Sequence, residues 1–315
     1  MVARTPTTLA PCTGCRRSLH GVGPMSILTG VDDLIDEWCG LSSAKGVGTR
    51  RPLYANKKAA IRLSENQGPL GTGHGTPDTS KLFSEILKCI HSNHRSERHV
   101  SETLWVLRKE TALDTGSKSA EKILEKVIAS SLDPARWYNQ VVAASGLAAP
   151  NQDRKRSIDL IYERGRSEYD FIELKYQEKK DSHGANNPLY AAWEIVRYGL
   201  LYVFARNVVS RQSIANKPLL DPARVKRVHL IVLAPDGYFR YRPRGENYLD
   251  YCLEWLEKAI NKGLKSLQPG LSIDFTFERF TPVFKELYET PTRLPDAFLA
   301  FRENDLQCRE PVYGR

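Results

Sequence analysis

The chain has 315 residues, with 46 Lys plus Arg against 37 Asp plus Glu for a formal net charge of +9, so it can bury a large core and favours a polyanionic partner. The N-terminus lacks an apolar signal core. The most apolar stretch, LYAAWEIVRYGLLYVFARNVV, carries Glu194, Arg197 and Arg206, which argues against a membrane span and leads to the expectation of a cytoplasmic protein.

Residues 1 to about 80 mix Pro, Gly, Ser and Thr around one short helical segment, VDDLIDEWCG, and read as a loosely structured N-terminal extension. The segment KLFSEILKCI then sets Phe83, Ile86, Leu87 and Ile90 at helical spacing. SETLWVLRKETAL and SAEKILEKVIAS continue that pattern, so helices are predicted for all three. YNQVVAASG, SIDLIYE and YDFIELKYQ follow as strands, with RGRSE as the turn between the last two, and together they predict an antiparallel meander. A long helix over 188–206 comes next, then the buried strand RVKRVHLIVLAP, the amphipathic helix YLDYCLEWLEKAINKGL and the strand LSIDFTFERF. This order predicts an α/β domain over residues 81–289, a central mixed sheet flanked by helices on both faces, with a C-terminal tail over 290–315.

The stretch RKRSIDLIYERGRSEYDFIELKYQEKK carries the chemistry. Residues two apart on a strand share a face, so Glu173 and Lys175 project together while Ile172 and Leu174 point to the other side. Asp159, on the preceding strand, reaches the same spot if the hairpin register brings it there. Two carboxylates held close repel each other. A hard divalent cation between them relieves that repulsion, and Mg²⁺ is commonly held by one or two carboxylates, waters and phosphate oxygens. Phosphodiester hydrolysis uses such a cation, with a nearby lysine to orient water or to stabilise the charge that develops on the phosphate.

SID followed fourteen residues later by IELK, between a helix bearing glutamates and another helix, resembles the PD-(D/E)xK nuclease superfamily, over roughly residues 100–285. The resemblance implies a restriction-endonuclease-like three-layer fold, Mg²⁺ or Mn²⁺ as cofactor, and a nucleic acid, DNA first, as substrate, in defence or repair. It implies Asp159 and Glu173 as metal ligands and Lys175 as the catalytic lysine. The glutamate that family members carry on the first core helix would be Glu121, with Glu125 as its alternative four residues on. Relatives also carry a Gln-x-x-x-Tyr element on the long helix; here Glu194 and Tyr198 stand in that place, and the glutamate departs from the pattern. If the polar stripe of Tyr190, Glu194, Arg197 and Tyr198 faces the site, Glu194 positions water or holds Arg197 toward phosphate. If it does not, Glu194 and Arg197 form an intrahelical ion pair. The alternative function is a catalytically silent nucleic-acid-binding or scaffold protein with the same fold.

Basic clusters punctuate the sheet: Arg154, Lys155 and Arg156; Lys179 and Lys180; Arg224, Lys226 and Arg227; and Arg240, Arg242 and Arg244. In GYFRYRPR, Tyr238, Phe239 and Tyr241 alternate with arginines, a mixture suited to phosphate contact and base stacking. The six cysteines are scattered and suit reduced thiols. Cys12, Cys15, His20 and Cys39, and the group Cys89, His91, His94 and His99, fall short of a paired zinc spacing.

Overall fold

Period-two burial along the strands sets the architecture. In β3 (Glu168–Leu174), Phe171 joins one apolar cluster while Ile172 and Leu174 join another. In β4 (Arg227–Ala234), Val228, Leu230 and Val232 join the first cluster, and Ile231 and Leu233 the second. Strands with apolar residues on both faces need cover on both, and helices supply it. The computed structural model describes residues 26–41, 52–55, 78–95, 100, 102–110, 120–131, 135–175, 187–208, 220, 224–239, 248–267, 270–280 and 309–313.

The helices are α1 (Val31–Trp38), α2 (Thr79–Asn93), α3 (Ala120–Ser131), α4 (Pro188–Val208), the short α5 (Asp236–Phe239) and α6 (Tyr248–Leu264). The remaining strands are β1 (Trp137–Val142), β2 (Ser157–Gly165), β5 (Ser272–Phe280) and β6 (Arg309–Pro311). They form a six-stranded mixed open sheet in the order β1-β2-β3-β4-β5-β6. β1, β2 and β3 are the expected antiparallel meander, with Leu160 opposite Ile172 and Tyr162 opposite Asp170. β3, β4 and β5 run parallel, joined by crossovers that carry α4 and α6, and β6 returns antiparallel along β5. One face packs against α4 and α6, with α2 lying on those two helices and α1 on α2. The other packs against α3 through Leu124, Val127, Ile128 and Ala129. This is an α/β arrangement compatible with three layers.

α4 is apolar nearly all round because it is buried nearly all round, with Ala191, Trp193, Ile195, Leu200 and Tyr202 inaccessible to solvent. Gly199 lets it lie close on β4, since a Cβ there would stand 2.6 Å from Leu230 Cδ1. No helix among the described residues is long and apolar enough to cross a membrane.

Three expectations change. SETLWVLRKETAL is not helical over 102–110: the Trp105 amide bonds Val142 O at 2.9 Å, and the Trp105 ring lies against Phe171 and Tyr202. Burying that indole outweighs a weak helical propensity. The segment expected to be a loose extension contributes to the core through Ile27, Val31, Ile35 and Tyr54. Side chains tie it down: Asp153 accepts from Ser26 Oγ (2.6 Å) and Ile27 N (2.8 Å), Asn93 Nδ2 donates to Thr29 O (2.8 Å), and Asp36 accepts from the amides of Leu53 and Tyr54. The C-terminal tail likewise supplies β6, whose Arg309 pairs with the fully buried Asp170 and lies over the rings of Trp137 and Tyr162.

His229 sits across three strands. Its Nδ1 lies 2.7 Å from Asp274 Oδ1 on β5 and its Nε2 lies 2.8 Å from Glu168 Oε1 on β3, with Asp170 adding negative charge. Burial opposes the imidazolium, but these carboxylates outweigh it and raise the pKa above the ordinary 6.5. A raised folded-state pKa contributes stability that is complete below the unfolded value and fades as pH rises through the folded one. His229→Gln is therefore expected to lower the denaturation midpoint at about pH 6 and to differ less from wild type at about pH 9, as read by urea titration at both pH values.

Candidate active site

The β2–β3 register decides whether the carboxylates meet. The ladder ends with Leu160 opposite Ile172, and just past it the Leu174 amide donates to Asp159 Oδ2 at 3.1 Å, which brings Asp159 to the end of β3 that carries Glu173. Lys175 follows the last residue of β3, and its amide still bonds Leu233 O of β4 at 2.9 Å, which fixes its direction. Its Nζ ion-pairs with Glu173 and lies 3.3 Å from Glu194 Oε2 of α4. Asp159, Glu173, Lys175 and Glu194 thus converge at the carboxyl edge of the parallel strands, where ligands bind in open α/β sheets.

The electrostatics are those of a buried cluster. Side-chain exposure is 4% for Glu173 and 5% for Lys175. Desolvation opposes the ammonium, but Glu173, Glu194 and Asp159 outweigh it and hold the Lys175 pKa well above its usual value. Burial, then the charges of Asp159 and Glu194, push the Glu173 carboxyl well up, while burial raises Asp159 against the pull of Lys175 and Lys122. Glu194 goes the other way. Burial would raise it, but Lys175, a hydrogen bond with Glu173 and the charge of Arg197 together bring it below the ordinary range.

Both glutamates of α3 stand near this cluster, with different attachments. Glu125 is buried, accepts from Asn139 Nδ2 (3.1 Å) and Gln140 Nε2 (2.9 Å), and pairs with Lys122 at 2.8 Å. Burial and the Asp159 charge push its carboxyl up to about 7. Glu121, half-buried, adds its charge to the fields at Lys175 and Lys122. Lys122 also comes within 3.8 Å of Asp159 Oδ1 and so bridges α3 to the site. Gln140, opposite Asp159 by the β1–β2 register, holds a left-handed φ of 51°. For a non-glycine strand residue this is strained, and it is sustained by bonds to Glu125, Ser157 Oγ (2.9 Å) and Arg108 Nε (2.7 Å).

The remaining expected residues divide. Tyr198 is buried within the field of Glu194 and Glu173, and burial raises its pKa well above normal. Arg197 takes neither expected role: its Nη1 pairs with Asp32 Oδ1 of α1 at 2.6 Å, and its guanidinium stands over Tyr54. Arg154 and Lys155 are exposed on the turn before β2, at the same sheet end as Asp159, while Arg156 Nε bonds Asp153 at 2.8 Å. Lys179, Lys180, Arg240, Arg242, Arg244 and Tyr241 lie outside the described residues. Tyr238 and Phe239, read as stacking residues, are buried instead. The Cys89 thiol donates to Thr29 O, and His94 Nδ1 lies 2.8 Å from Leu147 O. Cys39, Cys89 and Cys252 are buried free thiols.

Lys122, Asn139, Gln140, Asp32 and Tyr54 were not singled out in the sequence. Lys122 carried a signal, one helical turn from Glu125. The others reach the cluster only through strand register or through the packing of α1.

Asp159, Glu173 and Glu194 are the oxygen donors that hard divalent ions take. Among the described residues no group of three or more His, Cys, Asp or Glu side chains is disposed to hold a metal as it stands. The Asp159 and Glu173 pair, completed by waters and phosphate oxygens, is what the arrangement offers an Mg²⁺ or Mn²⁺ ion. The chain matches no family model, no curated protein and no solved structure.

Because the buried Glu125 carboxyl accepts from the Asn139 and Gln140 side-chain amides, Glu125→Ala is expected to cost about 2 kcal/mol by removing both hydrogen bonds. Glu121→Ala is expected to cost clearly less, and chemical denaturation of the two variants measures the difference.

Proposed function

We propose that this protein is a metal-dependent nuclease with a restriction-endonuclease-like domain, hydrolysing phosphodiester bonds, in DNA first, in a defence or repair role. The observation that carries the reading is the convergence of Asp159, Glu173 and Glu194 on the buried Lys175 ammonium at the carboxyl edge of β3. Asp159 and Glu173 would hold Mg²⁺ or Mn²⁺. When bound, that ion would polarise the phosphate and ease deprotonation of an attacking water. Lys175, kept charged by its carboxylate neighbours, donates to the oxygen on which negative charge grows, in a site that water screens poorly. Glu194, kept ionised, holds the lysine in place. The exposed Arg154 and Lys155 add positive charge for a phosphate backbone at the same end of the sheet.

One observation favours a second reading. The Lys175–Glu173 ion pair already satisfies both charges without a cation, as it would in a nucleic-acid-binding or scaffold protein that keeps the architecture without turnover.

Purified protein incubated with supercoiled plasmid and with single-stranded DNA in Mg²⁺, Mn²⁺ or EDTA separates the two. Cleavage that requires the metal, and that falls at least about 100-fold in Lys175→Ala and is absent in Asp159→Asn, is the expected result. Binding without turnover in every divalent ion would establish the second reading instead.

A further inference from the structure

Tyr238 is an unexplained polar group beside this site. It lies on α5, the short helix that begins two residues after β4 ends, and its amide bonds Pro235 O at 2.9 Å. β4 is the strand whose Leu233 carbonyl anchors the Lys175 backbone, so α5 sits at the edge where the carboxylates converge. Tyr238 is 8% exposed, and its ring packs edge-on against Phe239, which in turn meets Phe277. Its hydroxyl is buried and finds no hydrogen-bond partner among the described residues. A buried hydroxyl without a partner is destabilising, by roughly 1–3 kcal/mol in protein interiors, and a phenylalanine would fill the same space without that penalty.

The surroundings indicate what the hydroxyl would serve. Burial comes first among the influences that keep the phenol protonated, and the charges of Lys175, Glu173, Glu121 and Glu194 act on it as well. It is therefore a neutral donor within the field of the site. The cluster is rich in acceptors, with Asp159, Glu173 and Glu194, and Lys175 is already engaged by two of them. A phosphate diester entering this edge brings non-bridging oxygens that need donors, and it meets few that are not already committed. A neutral phenol also adds no charge that a divalent cation would have to oppose.

Resting on the nuclease reading above, we infer that the Tyr238 hydroxyl is a substrate-contacting group of the same site, donating a hydrogen bond to a non-bridging oxygen of the scissile phosphodiester. Its unmet hydrogen bond in the free protein is then completed by substrate, and the bond strengthens as charge builds on that oxygen. The contact belongs to the backbone phosphate, so it carries no base preference.

The test compares the full chain as wild type, Tyr238→Phe and Lys175→Ala, measuring kcat and KM on one short DNA substrate with Mn²⁺, together with the thermal midpoint without substrate. The expected result is that Tyr238→Phe melts at or above wild type while kcat/KM falls by about 100-fold, mainly in kcat. A Tyr238→Phe variant with unchanged kcat and KM, beside a Lys175→Ala variant that has lost cleavage, overturns the Tyr238 role and leaves the nuclease reading standing. A lowered thermal midpoint in Tyr238→Phe shows that the hydroxyl has a structural partner and also overturns it. Absence of metal-dependent cleavage in wild type, or cleavage by Lys175→Ala equal to wild type, removes the nuclease reading and the inference with it.

Discussion

The arrangement at the carboxyl edge of the sheet depends on one buried ammonium. Removing a charged amine from water costs several kcal/mol even after relaxation, and Lys175 is tolerated only because Glu173 pairs with it and Glu194 and Asp159 surround it. The dependence is mutual. Without the lysine, three carboxylates would face one another across β2, β3 and α4, and the like charges would push those elements apart or force protonation. The ordering of this edge is thus electrostatic, and the apolar packing of Ile172 and Leu174 on the other face supplies the rigidity that keeps the charges at close range.

A second polar assembly occupies the α3-facing surface at the opposite end of the parallel strands. Asp170 takes ion pairs from Arg164 at 2.5 Å and from Arg309, which also approaches Glu278 at 3.5 Å, and His229 links Glu168 to Asp274 beside them. Breaking a buried pair of this kind leaves an uncompensated charge, a loss of about 3–5 kcal/mol. This assembly ties the C-terminal strand β6 to the hairpin of β2 and β3, so residues distant in sequence hold one sheet. The two charged groups differ in composition: arginine and histidine pair the carboxylates of the far one, whereas lysine alone pairs Glu173 and Glu194 in the near one.

On the opposite face of the sheet from that assembly, α4 connects the candidate site to the N-terminal segment. Arg197, one turn beyond Glu194, pairs with Asp32, and the Tyr54 hydroxyl donates to the same carboxylate oxygen at 2.5 Å. Asn187, at the start of α4, reaches the Tyr54 carbonyl at 3.3 Å. Asp32 and Tyr54 therefore act on the site through α4, by fixing an arginine whose positive charge helps keep Glu194 ionised.

The sequence determined what depends on periodicity and local chemistry. The three-strand meander, the parallel strands alternating with long helices, and the shared face of Glu173 and Lys175 all follow from period-two and period-3.6 burial within a few residues. The resemblance to a nuclease motif singled out Asp159 as well, and the hairpin turn made its approach plausible. The tertiary structure decided what depends on distance in the chain. Strand register brought Gln140 opposite Asp159, helix packing set Arg197 on Asp32, and the aromatic pocket of Phe171 and Tyr202 turned Trp105 out of a helix. The burial of Tyr238, read from its arginine neighbours as an exposed stacking residue, is of the same kind. Local pattern fixes which face a side chain takes, but its partners across the core are chosen by the packing of the whole chain, where the burial of an indole or a guanidinium outweighs the smaller preferences of its own segment.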